Sequence, residues 1–163
     1  MDHTNHHHHA QAHPGATPDL TRTALQATAH CLAGCAIGEV AGMVAGAALG
    51  WSPWPVVALS ILLAFLTGYG LTMLPLLKAR LPLATVLGLA LASDTLSIAT
   101  MEVVDNALML VIPGAMSAPL SSPLFWGSLA LSLFIAGAAA FPVNRWLIAR
   151  GQGHAVVHAY HPH

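Results

Sequence analysis

The sequence predicts an all-α integral membrane protein, a bundle of four transmembrane helices joined by short loops. Two observations of composition and one of pattern lead there. Of 163 residues, 56% are hydrophobic and 7% charged, against roughly 25% charged in a soluble domain. Lipid accepts that apolar surface, whereas water would leave it as adhesive patches. The apolar residues also gather into four segments, 25–49, 55–77, 84–112 and 124–149, each long enough for the roughly 20 residues that a span requires. Connectors rich in Pro, Gly or Ser separate them, residues that punctuate helices. A net charge of -1 offers no basic face, which excludes nucleic acid as a partner.

The ends differ in kind from the middle. Residues 1–24 are polar, His-rich and interrupted by Pro14 and Pro18, so they predict a disordered tail. The flanks of the four histidines at 6–9 read as native sequence, and no positive start followed by an apolar stretch marks a cleavable signal. Residues 25–150 form the membrane domain and 151–163 a second His-rich tail, in which His154 and His158 are spaced to share a helix face. Arg22, Lys78, Arg80, Arg145 and Arg150 all fall on one side when the spans alternate. The excess of Lys and Arg on cytoplasmic loops then predicts a multi-pass protein of the cytoplasmic (inner) membrane with both termini inside. Trp51, Trp54 and Trp126 fit an outer aromatic belt and Trp146 an inner one.

The first span carries two stripes. Gly34, Gly38, Gly42, Gly46 and Gly50 recur every four residues and present one face without side chains. Such a face packs closely on another backbone, within the bundle or across a homo-oligomer. Beside it run Cys31, Cys35, Glu39 and Met43, with His30 at the start. Residues i and i+4 point the same way, and thiolate with imidazole suits copper(I) or zinc. A disulfide is not expected, because both thiols would lie near the reducing cytoplasm.

The third span, "ASDTLSIATMEVVDNALML", holds Asp94, Glu102 and Asp105. Carboxylates at that depth cost several kcal/mol unless protonated, paired or coordinated, so they are candidates for function. Asp94, Met101 and Asp105 fall nearly in line, with Glu102 and Asn106 on a neighbouring line. Asp94 and Glu39 are expected to lie at similar depth and to face each other. No Lys or Arg stands within the apolar part of any span to neutralise them, which implies a proton or an imported cation. In the fourth span Pro142 predicts a kink beside Asn144 and Arg145. The second span, with Gly68, Gly70 and Pro75, predicts packing and bending without chemistry.

The stretches "HCLAGCAIGE", "DTLSIATMEVVDNA", "FWGSLALS" and "FPVNRWLIARGQGHAVVH" resemble the family of small bacterial membrane proteins described as domain of unknown function 4396. The resemblance covers about residues 24–160. Its His-Cys-x-x-Gly-Cys-x-x-Gly-Glu pattern matches His30, Cys31, Gly34, Cys35, Gly38 and Glu39, and its acidic motif matches Asp94, Met101, Glu102 and Asn106. It implies a multi-span membrane protein and supplies no activity.

The residues themselves therefore carry the functional expectation. They point to a membrane protein that binds a transition metal, copper before zinc, for transport or delivery. His30, Cys31 and Cys35 would capture the ion, with His154 and His158 assisting. Glu39, Asp94, Met101 and Glu102 would complete the metal set. Glu39, Asp94, Glu102, Asp105 and Asn106 would provide a proton or ion path. The expected partners are lipid, a second copy through the first helix, and a metal donor or larger membrane complex. Two other readings fit parts of the pattern: a redox or haem protein using His30 or the two thiols, and an assembly factor that binds a complex through the glycine stripe. No serine nucleophile with a His and acid beside it suggests a hydrolase.

Overall fold

A computed structural model describes residues 19–150. They form four helices, α1 (Leu20–Ala48), α2 (Pro53–Lys78), α3 (Leu83–Val111) and α4 (Pro123–Ala149), with a short 3-10 turn at Ala115–Ser117 between the last two. Each helix is long and apolar enough to cross a membrane, and the protein is a multi-pass membrane bundle. The two tails, with the expectations placed on His154 and His158, lie outside the described residues.

The helix limits follow local chemistry. Asp19 caps α1 by accepting a hydrogen bond from the Thr21 amide at 3.0 Å, which draws Thr21, Arg22 and Thr23 into the helix. Helix α1 therefore begins before the apolar segment expected from residue 25, because a cap, and not hydropathy, sets its start. Pro53 and Pro123 open α2 and α4 in the first turn, where a missing N–H costs nothing. Both α2 and α4 run on through their internal prolines, Pro75 and Pro142.

The packing is up-down-up-down. Gly34 meets Gly68, Gly38 meets Ala64, Gly42 meets Ser60 and Gly46 meets Val56, a falling register that makes α1 and α2 antiparallel. Cys31, Cys35 and Glu39 face Asp94, Met101 and Asp105, a rising register that makes α1 and α3 parallel. Asn144 of α4 donates to the Thr28 hydroxyl of α1 at 2.9 Å. The bundle thus has a terminal end, where α1 begins and α4 finishes, and a loop end, formed by the α1–α2 turn and the α3–α4 connection.

Large apolar side chains point outward. Leu62, Leu66, Val103, Leu110 and Phe134 are exposed, while alanines, serines, thiols and acids are buried. That inversion suits lipid as the solvent: leucine gains nothing by leaving it, whereas small side chains let helices approach and polar ones need partners inside. Trp51, Trp54 and Trp126 stand at the loop end and Trp146 at the terminal end. The Trp126 indole N–H donates to the Leu120 carbonyl at 2.8 Å, and the Arg150 guanidinium lies 4.0 Å from the centre of the Trp146 ring.

The glycine stripe is an internal seam. A Cβ on Gly34 would stand 2.7 Å from the Gly68 Cα, and one on Gly38 would overlap the Ala64 backbone. Across this contact the Thr67 hydroxyl donates to the Gly34 carbonyl at 2.6 Å. Two expectations change. The stripe is covered by α2, so it is not the face that α1 offers to a second copy or to a larger complex. Gly50 is not part of it: α1 stops at Ala48, Gly50 turns the chain with φ of 64°, and no atom lies within 4 Å of where its Cβ would be.

Candidate functional site

The other side of α1 builds a polar file along the bundle axis. Its first level, toward the terminal end, joins Cys31 and Asp94. These residues each stand eleven positions past the first residue of their helices, at 20 and 83, and the parallel packing sets them level. The Cys31 sulfur lies 3.9 Å from Asp94 Oδ1, which also accepts a hydrogen bond from the Ser93 hydroxyl at 2.8 Å. Thr72 of α2 stands beside Asp94, and Ser97 stands beside the Cys31 thiol. His30 turns toward α2, where its Nε2 is 3.1 Å from Thr72 Oγ1.

The second level, about one helical turn along, is sulfur and carboxyl. Cys35 Sγ and Met101 Sδ are 3.9 Å apart, in the same buried cluster as Cys31, Ile98 and Ala136. The Glu102 carboxyl flanks Cys35. Asn106 Nδ2 donates to Glu102 Oε2 at 3.4 Å and to the Glu102 carbonyl at 2.9 Å. Both cysteines are free thiols.

The third level, toward the loop end, is a pair of acids. Glu39 and Asp105 face each other, with Glu102 also near. They are 3% and 4% exposed. Asp105 accepts a hydrogen bond from the Ser132 hydroxyl. Neither Glu39 oxygen accepts one from a hydroxyl, amide or imidazole of the described residues. Two carboxyls so placed cannot both carry charge without a cation or a proton between them. Above them a partly open cleft of about 250 Å³ leads to the loop end, lined among others by Met43, Trp51, Asn106, Met109 and Phe125.

The residues expected at the site are thus brought onto one axis but not to one point. Cys31, Cys35, Glu39, Asp94, Met101, Glu102 and Asp105 share the file. His30 does not join the two thiols, because neighbouring residues on a helix point about 100° apart and its ring is directed to α2. Glu39 faces Asp105 instead of Asp94, since Cys31 is the residue of α1 level with Asp94 and Glu39 lies about two helical turns beyond it. Among the described residues no group of three or more His, Cys, Asp or Glu side chains is arranged to hold a metal ion. Ser60, Thr72, Ser97 and Ser132 are additions that the sequence reading lacked. Hydroxyls in apolar helices commonly bond back to their own backbone, as Ser132 does to Leu129 at 3.0 Å, and spacing carries no sign of a second partner.

No curated protein and no solved structure matches the chain. The family model described as domain of unknown function DUF4396 matches residues 21–153, a span that includes all four helices but for Leu20, and every level of the file. The chain belongs to that family.

Proposed function

We propose that this protein carries or delivers a soft transition-metal cation through the membrane, with copper(I) as the preferred cargo and zinc as the second. The observation behind this reading is the second level: a thiol and a thioether 3.9 Å apart in the bundle core, with the Glu102 carboxyl beside them. Thiol and thioether donors select copper(I), and zinc prefers a closed tetrahedral set; the described residues offer no group of three or more His, Cys, Asp or Glu to either ion. Cys31 and Asp94 form the adjoining step toward the terminal end. Glu39, Asp105 and Asn106 continue the polar path toward the loop end and supply negative charge.

The five Lys and Arg residues cluster at the terminal end, which favours an orientation with that end cytoplasmic, in a bacterial inner membrane. The His-rich tails would then collect metal on the same side as Cys31. Four spans make a narrow conduit, so the transporting form pairs two copies. With the glycine face covered, the surface left on α1 is its lipid-facing groove at Ala41, Ala45 and Ala48.

Metal analysis tests the reading. Protein lacking residues 1–18, which keeps the Asp19 cap, is loaded anaerobically with copper(I) and compared with the same chain carrying Cys31→Ser and Cys35→Ser. Near-stoichiometric copper that is lost in the double variant is expected. Equal copper in both, or none in either, overturns the reading.

A further inference from the structure

The cleft at the loop end is larger than a bare metal ion requires, and aromatic and aliphatic side chains line it beside its acids and thioethers. A dry cavity of about 150 Å³ holds benzene, and this cleft measures about 250 Å³. Its sides are aromatic and aliphatic, including Trp51, Phe125, Met43 and Met109, and its floor is the Glu39–Asp105 pair. Apolar walls with a few convergent polar groups are the usual make-up of a site for a small organic molecule.

The charge of that molecule follows from the floor. Glu39 is 3% exposed, and neither of its oxygens accepts a hydrogen bond from a hydroxyl, amide or imidazole of the described residues, which leaves the Asp105 carboxyl as its neighbour. Every Lys and Arg lies at the opposite end: Arg22 near the start of α1, Lys78 and Arg80 where α2 ends, and Arg145 and Arg150 where α4 ends. His30 is engaged with Thr72. The described residues therefore set a buried, doubly acidic floor beneath an apolar vestibule and bring no Lys, Arg or His to it.

We propose that this cleft binds a small organic ammonium, with the charged nitrogen between Glu39 and Asp105 and the hydrocarbon part against the aromatic and thioether walls. Ammonium donors match both acids: N–H⁺ to carboxylate bonds are charge-assisted and short, and both acids are buried at the inner end of the cleft. Cation–π attraction to the aromatic walls adds to it. The size fits one ring and a short amine-bearing chain. This site is about one helical turn from the Cys35–Met101 contact, and its floor is the same acid pair that ends the polar file.

Binding of 2-phenylethylammonium to the full chain in phosphatidylglycerol nanodiscs tests the proposal, with 2-phenylethanol as the neutral match. Saturable binding of the ammonium is expected, at least about tenfold tighter than the alcohol, and weakened at least about tenfold by Glu39→Gln. If Glu39→Gln does not fold, Met116→Trp, placed in the 3-10 turn on the cleft wall, is expected to abolish binding by filling the space. Equal affinity for alcohol and ammonium, no binding to a folded chain, or binding unaffected by both variants overturns it. Adding phosphatidylethanolamine to the discs separates the sources of ammonium: competition assigns the site to a lipid headgroup, and its absence to a free amine, each upholding an ammonium site.

Discussion

Helix α1 presents two faces with the same spacing of four and opposite consequences. Toward α2 it offers Gly34, Gly38, Gly42 and Gly46, and the two backbones touch. Toward α3 it offers Cys31, Cys35 and Glu39, and side chains meet side chains. The first face holds the bundle together because, in lipid, close packing is the main source of helix association. The second face opposes stability, since buried acids are costly there, which makes its acids candidates for function. A regular repeat in a membrane helix therefore says where a contact lies, and the residue type says whether that contact serves assembly or function.

Substitutions can break or sharpen this contrast. Gly38→Leu should be the most damaging, because its side chain would overlap the Ala64 backbone; a loss of about 3 kcal/mol or more, or failure to accumulate in the membrane, is expected by unfolding in detergent. Glu39→Gln should leave the fold intact and raise stability by about 1 kcal/mol, since it removes a buried acid facing another. A large destabilisation there would make Glu39 structural and weaken the division between faces. Thr67→Val, which loses the hydroxyl bond to the Gly34 carbonyl across the seam, should cost about 0.6 kcal/mol. Gly70→Ala should fall within about 0.5 kcal/mol of the parent, because nothing lies within 4 Å of its Cβ position. Gly38 and Gly70 would then bracket the range for glycines in neighbouring helices.

Much of the architecture was legible in the sequence, because hydropathy marks spans and Pro, Gly and Ser mark their ends. The helix starts were less so. Asp19 and Thr21 extend α1 beyond its apolar part. The acids of α3 announced themselves as costly groups, and the Cys–Glu stripe as a face. The partners of that face were hidden. Which residue lies opposite Cys31 depends on helix register, which no single helix encodes. His30 shows the same limit from the other side: adjacent to Cys31 in the chain, it serves a different neighbour, Thr72. The second span, read as inert, contributes Ser60, Thr67 and Thr72 through hydroxyl bonds of 3.3, 2.6 and 3.1 Å.

The seam between α1 and α2 also has a consequence for biosynthesis. These helices are joined by residues 49–52 and share the most extensive contact in the bundle, so they can pair as a hairpin while α3 is still being made. Until α3 arrives, the acid face of α1 has neither Asp105 nor Met101 to meet and lies open to lipid or to the insertion machinery. The costly half of the molecule is thus completed last, on a scaffold already fixed. A chain ended after residue 82 should insert as a paired hairpin yet be cleared quickly by membrane quality control, and Glu39→Leu should prolong the life of that fragment.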